Sequence, residues 1–374
     1  MNYDLSEDQN IIKTSAHKFL SKECPSEFVR KMAEDEKGFT SEIWKGMAEL
    51  GWMSLLIPEK YKGFEGSFLD LAVLLSEMGY FCLPGPFFST AVLGGLTLLE
   101  AGSEAQKAEV LPDLAAGKRF LTLAWVEKDG TYAPEGIKLA AQSKDDQYVL
   151  SGTKLFVPYA HVADTIICVA RTGDGATDLS LFLVDAKSSG LQVELLDTIA
   201  ADKQCEVVFD KVKVPEDNLL GGPDQAWPVL KRVLLMSAVA KSAEMAGGGR
   251  KVMELVVPYT KERKQFGRPV GAFQAVQHHC ADMLTYADTI EFMTYQAAWR
   301  IGAGLSFEKE ASMCKAWVSD SYRKLVALGH QVIGGVGFME EHDLQLYFKR
   351  AKAAELMSGD GDFHRELVAR EMGL

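Results

Sequence analysis

Four polar side chains crowd one short stretch near the end of the chain: Ser358, Asp360, Asp362 and His364, spaced by Gly359, Gly361 and Phe363. The glycines permit backbone angles that other residues avoid, which lets such a loop aim a side chain inward. A carboxylate such as Asp360 can take a proton from carbon, whereas the hydroxyl of Ser358 is far too weak a base to do so unaided at neutral pH. A second candidate carboxylate, Glu244, stands between Ala243 and Met245 with Lys241 one turn earlier as an ion-pair partner. For either carboxylate the alternative reading is a helix cap or a solvated surface charge. Elsewhere, Gln331-Val-Ile-Gly-Gly-Val-Gly-Phe338 sets three glycines after an apolar segment, so that a nucleotide's adenine or phosphate can approach the backbone closely at Gly334 and Gly335. A helix C-cap is the simpler alternative there. His278 and His279 are neighbours in a helical run and face different sides of it, so no metal site is expected from them.

The elements that must position these residues fall into three blocks. Residues 1–117 read as helices with short breaks, including an N-capping Ser6 followed by apolar positions 11, 12, 15, 19 and 20 on one face. Residues 118–225 change to short runs rich in β-branched and aromatic residues, such as Phe120–Val126, Thr165–Ala170, Leu179–Val184 and Glu206–Phe209, separated by turn residues. In residues 226–374 the helical period returns in long segments over about 228–258, 272–304, 306–334 and 343–372. The expected fold is α+β: a helical N-terminal domain, a middle β-sheet or barrel domain, and a C-terminal four-helix bundle.

Composition excludes several classes of function. A chain of 374 residues with 47% hydrophobic and 25% charged residues is that of a globular protein with more than one core. The net charge of -12, with no compensating Lys/Arg run, argues against nucleic acid or an acidic membrane as partner. No uncharged apolar stretch reaches the roughly 18 residues needed to span a bilayer, and the N-terminus lacks a basic region followed by an apolar run. The 6 cysteines have no paired spacing and read as buried free thiols of a reducing compartment, so a cytoplasmic location is expected.

The motifs combine into a resemblance that covers nearly the whole chain. Thr260-Lys-Glu-Arg-Lys-Gln-Phe-Gly-Arg-Pro-Val-Gly-Ala-Phe-Gln274, the Gln331–Phe338 glycine segment, the Gly102–Gly117 and Val208–Gly221 junctions and the Val368-Ala-Arg370 tail resemble the acyl-CoA dehydrogenases. That resemblance implies FAD as cofactor. It implies that Arg263 meets the pyrophosphate in a forked, charge-assisted pair and that Gln265, Phe266, Phe273 and Gln274 line the dinucleotide. It further implies that Gln331, Gly334 and Gly335 reach the FAD of a neighbouring subunit in a homotetramer or dimer. Val126, Phe156, Pro158 and Asp360 would lie by the flavin, and Tyr132, Ser237 and Arg370 by the acyl-CoA substrate.

Departures from the family concentrate where the flavin ring and thioester would sit. The usual Thr-Glu-Pro-Gly-x-Gly-Ser loop is replaced by Val126-Glu-Lys-Asp-Gly-Thr-Tyr132, and Trp-Ile-Thr by Phe156-Val-Pro158, whose proline offers neither hydroxyl nor N–H. Both positions at which family members carry the catalytic glutamate hold serine here, Ser358 in the tail and Ser237 by counting back from Glu262-Arg263. The resemblance thus implies α,β-dehydrogenation of a non-standard (cyclic, aromatic or dicarboxylic) acyl-CoA to a 2-enoyl-CoA, with electrons passed to an electron-transfer flavoprotein. Asp360, then Glu244, are the replacement bases to consider. Two alternatives stay open: a redox-neutral lyase or hydratase-like flavoprotein, or a degenerate FAD-binding subunit of a heteromeric dehydrogenase.

Overall fold

The computed structural model describes residues 4–374. Three of its helices start at a serine that closes a capping box. Ser6, Ser67 and Ser103 each form a capping box, accepting a backbone N–H three residues on while that residue's side chain answers at the cap's own N–H, before α1 (Glu7–Glu23), α4 (Phe68–Tyr80) and α6 (Glu104–Ala115). Between them lie α2 (Ser26–Glu34), α3 (Ser41–Glu49), a π-helical stretch at Phe88–Gly94 and α5 (Gly95–Ala101).

The described residues divide into two compact units. One contains residues 32–66 and 84–234 and is built on a sheet of eight strands: β1 (Leu121–Ala124), β2 (Ala140–Lys144), β3 (Gln147–Pro158), β4 (Thr165–Arg171), β5 (Leu179–Asp185), β6 (Leu191–Leu196), β7 (Gln204–Pro215) and β8 (Leu219–Leu220). The order is β6-β7-β3-β2-β4-β5-β8, with β1 parallel to β4. Its interior is closed by Phe182, Phe209, Leu150, Val207 and Ile166, all at most 2% exposed. Two irregularities interrupt the β3–β7 pairing, and the second falls between Lys154 and Val157. There Phe156 adopts φ 53° and is left 57% exposed at the surface of this unit, as a bulge that re-aims a side chain would leave it.

The other unit contains the chain up to Lys31, Ser67–Leu83 and Leu235–Leu374. It holds α1 and α4, most of α7 (Ala226–Glu262), α8 (Gln274–Gly302), α9 (Glu308–Ile333), α10 (Leu344–Leu356) and α11 (Gly361–Glu371); the short strands β9 (Lys264–Gln265) and β10 (Arg268–Pro269) form a hairpin between α7 and α8. In this unit α4 and α7 touch backbone to backbone. A Cβ on Gly79 would lie 1.9 Å from the Glu244 carbonyl oxygen, and one on Gly247 only 1.7 Å from that of Ser76. Glycine is required at both places by that close approach.

Two sequence expectations change. The helical run expected over 343–372 is two helices, because Ser358 (φ 58°) and Gly359 (φ 96°) turn the chain left-handed between α10 and α11. The strands β2, β6 and β8 escape the β-rich runs: β2 and β6 are half-exposed and carry polar residues, and β8 is only the pair Leu219–Leu220.

Candidate functional site

The tail loop and α7 meet on the two serines. Ser237, fully buried on α7, and Ser358, 6% exposed, bring their Oγ atoms to 2.7 Å in a hydrogen bond. The two positions are 121 residues apart in sequence and adjacent in space. Around Ser358 the loop is held by main-chain contacts. His364, 1% exposed on α11, donates from Nε2 to the Ser358 carbonyl at 2.8 Å, which fixes its tautomer. Its Nδ1 is buried without a partner, and burial pushes the imidazole pKa down to about 4. Lys315, from α9, donates to the carbonyls of Ala354, Glu355 and Gly359 at 3.0, 2.8 and 2.8 Å.

Both candidate carboxylates are engaged. Asp360 is the N-cap of α11, its Oδ1 accepting the Phe363 N–H at 2.9 Å, so the helix-cap alternative describes its contacts. Glu244 is half-buried and pairs with Lys241 at 2.5 Å, the partner suggested by their spacing. Asp362 points outward and pairs with Arg365. Arg370 lies 71% exposed on the last turn of α11, 3.7 Å from Glu366.

The Arg263–Gln274 segment forms the end of α7, the β9–β10 hairpin and the start of α8. Arg263, Gln265 and Gln274 are exposed, and Phe266, in the left-handed region at φ 53°, is 91% exposed. The Phe266 and Phe273 rings stand edge to face at 6.1 Å, and the Arg268 guanidinium lies 4.1 Å from the Phe273 centroid. After α9, Gln331 is exposed and Gly334 and Gly335 face open space, since a Cβ on either would meet nothing within 4 Å. Exposed aromatic rings and unobstructed glycine backbone fit a flat dinucleotide.

In the sheet unit, Tyr132 packs against Trp125 with ring centroids 4.9 Å apart. Val126 is half-buried, its carbonyl accepting the Leu155 N–H, while Pro158 is buried and its carbonyl accepts the Thr122 hydroxyl at 2.6 Å. Between them runs an ion pair that sequence reasoning missed. The Lys154 side chain is 0% exposed, and its ammonium meets the Glu127 carboxylate, 11% exposed, at 2.7 Å. Glu127 also accepts the backbone N–H groups of Lys138 and Leu139 at 3.0 Å, which closes the 127–139 loop onto β3. Lys315 was missed too, although it sits in the apolar period of α9 with Ala311, Cys314, Val318 and Tyr322, all buried.

Among the described residues no group of three His, Cys, Asp or Glu is arranged to hold a metal ion, and no helix is long and apolar enough to cross a membrane.

Residues 6–118, 122–212 and 224–373 match, in turn, the N-terminal, middle and C-terminal domains of acyl-CoA dehydrogenase. The probable acyl-CoA dehydrogenase YngJ of Bacillus subtilis is 30% identical over 386 residues, covering all of both chains. Among solved structures, PigA with FAD and proline superposes with a TM-score of 0.93 at 25% identity, covering all of both chains. The ChsE4-ChsE5 complex from Mycobacterium tuberculosis gives 0.91 at 25% identity, covering 100% of this chain and 99% of the other.

Proposed function

Because the chain belongs to the acyl-CoA dehydrogenase family of FAD-dependent oxidoreductases acting on the CH–CH bond of acyl-CoA, we propose that it is the base-less, FAD-binding chain of a heteromeric dehydrogenase for a non-standard acyl thioester. The α-proton passes to a carboxylate supplied by a second polypeptide, and the product is a 2-enoyl thioester. One contact carries this reading: the buried hydrogen bond between Ser237 and Ser358. Two neutral hydroxyls at the two family base positions can bind and orient, but neither can hold a proton taken from carbon at neutral pH. The carboxylates nearest in sequence are committed elsewhere, Asp360 to a helix cap and Glu244 to Lys241. A solved relative that is itself a two-component complex supports a paired assembly.

FAD, when bound, supplies the acceptor for the β-hydride. In this chain Arg263 is the residue to fork onto its pyrophosphate, with Gln265, Phe266, Phe273 and Gln274 along the dinucleotide and Gln331, Gly334 and Gly335 reaching the flavin site of a neighbouring subunit. Phe156, Val126 and Pro158 of the sheet unit are the residues assigned to the flavin ring. Pro158 offers the ring no donor and Val126 no hydroxyl, so contact there is by shape and dispersion. The serine pair of the helical unit is assigned to the acyl thioester. An electron-transfer flavoprotein is the partner that would accept the electrons.

Anaerobic absorbance of the purified chain tests this reading. The isolated protein is expected to retain yellow flavin that is not bleached by cyclic, aromatic or dicarboxylic acyl-CoA, and to bleach once combined with a base-bearing family member from the same source. Bleaching by the chain alone, lost in Asp360→Asn or Glu244→Gln, overturns it. A change in acyl-CoA mass without acceptor consumption also overturns it, in favour of redox-neutral chemistry.

A further inference from the structure

The largest investment in the tail loop is made by a residue outside it. Lys315 is 0% exposed, among the largest fully buried side chains of the protein, and its Nζ touches four acceptors. Three are main-chain carbonyls, those of Ala354, Glu355 and Gly359, and the fourth is Ser319 Oγ at 3.1 Å. An ammonium has three protons, and three carbonyls converge on them. Ala354 and Glu355 lie in the last turn of α10, whose carbonyls have no partner within the helix and carry its negative end. Gly359 is the residue after Ser358. One side chain from α9 therefore clamps the end of α10 to the far side of the turn that contains Ser358.

We infer that Lys315 is the positioning residue of the Ser237–Ser358 pair, holding the 357–360 turn so that the residue at 358 faces α7. The turn needs such a clamp. Ser358 occupies the left-handed region without being glycine, a conformation that is unfavourable unless the surroundings impose it. His364 takes hold of the Ser358 carbonyl from the other side, and Asp360 caps α11 immediately after it. Lys315 is the member of this group that joins α9, α10 and the loop. Burying an amine there works against its charge. Burial first, then the neighbouring Lys241, push its pKa down to about 7, with Glu355 and Asp360 acting in the opposite sense. An amine kept at that cost and aimed at three carbonyls is explained by what it holds. The inference concerns the loop whichever polypeptide supplies the base, so its failure leaves the proposed function standing.

A mutant cycle measured in two backgrounds tests it. In the otherwise unaltered protein, Ser237→Ala, Ser358→Ala and the double variant should show a coupling of about fivefold in the unfolding constant. In Lys315→Met that coupling should fall to about onefold, because the two hydroxyls no longer face each other. In Lys315→Gln, which keeps two N–H donors, part of it should return. Plain destabilisation lowers all four corners equally and leaves the coupling intact, so a coupling of unchanged size in Lys315→Met overturns the inference. Should neither variant at 315 fold, hydrogen exchange of the unaltered protein decides. The 357–361 segment should exchange as slowly as the flanking turns of α10 and α11, and complete exchange there at the earliest time point overturns the clamp.

Discussion

Replacing Glu127 by glutamine should damage the sheet unit far more than a change of one atom suggests. The carboxylate is 11% exposed and pairs at 2.7 Å with an ammonium whose side chain has no exposed surface. Glutamine keeps the shape and one oxygen for the Lys138 and Leu139 N–H groups, but removes the charge that neutralises Lys154. Breaking a buried pair from one side costs about 3–5 kcal/mol, most of it the penalty of the charge left behind. Lys154→Met alone should cost less, since the orphaned carboxylate at 127 keeps two backbone donors and some solvent. Combining Glu127→Gln with Lys154→Met removes both charges and should recover more than half of the Glu127→Gln loss. Urea unfolding followed by tryptophan fluorescence measures each corner, and trypsin cleavage after Lys128 reports whether the loop has come away from β3. A Glu127→Gln cost under about 1 kcal/mol, or two losses that simply add, would refute a buried pair of this strength.

Three further outcomes are expected. Gly247→Ala should destabilise the helical unit by about 3 kcal/mol or more, because its methyl would fall 1.7 Å from the Ser76 carbonyl oxygen and α4 and α7 would have to part; an unchanged melting temperature would contradict the backbone crossing. His364 titrates below its ordinary value in the folded protein, so its contribution is intact above pH 6.5 and is lost as the pH falls toward about 4, a decline of roughly 3 kcal/mol; His364→Gln should flatten that part of the stability profile, and an identical slope would disprove the assignment. Arg263→Gln should weaken FAD binding by about tenfold or more through loss of a charge-assisted contact, read by flavin fluorescence on equilibrium dialysis, while Arg370→Gln, exposed and paired at 3.7 Å with Glu366, should leave it unchanged.

Much of this architecture is legible in the sequence where burial imposes a period. The runs Thr165–Ala170 and Leu179–Val184 announce the central strands β4 and β5 because both of their faces are covered. Strand β2 could not be read, since Ala-Ala-Gln-Ser-Lys has the composition of a loop and becomes a strand through its pairing with β3. The break at Ser358 was equally hidden, because a serine does not declare a left-handed backbone and the helical period runs through it. At the candidate site, register against the family identified positions 237 and 358, and the fold put their hydroxyls in contact. Lys154 and Lys315 escaped for a common reason: lysine is read as solvated by default, and only the tertiary partners reveal a buried one.

Apart from the Ser237–Ser358 bond, the anchors of the tail turn end on main-chain atoms. Lys315 holds the carbonyls at 354, 355 and 359, His364 holds the carbonyl at 358, and Asp360 holds the N–H at 363. These ties do not involve the side chain at 358, so the shape of the turn and the identity of that side chain are separable. Position 358 is in this sense a socket. On the proposed reading its occupant could be exchanged between a proton acceptor and a bystander without rebuilding the scaffold around it, which would give such a chain a short evolutionary path from catalyst to companion, and a short path back.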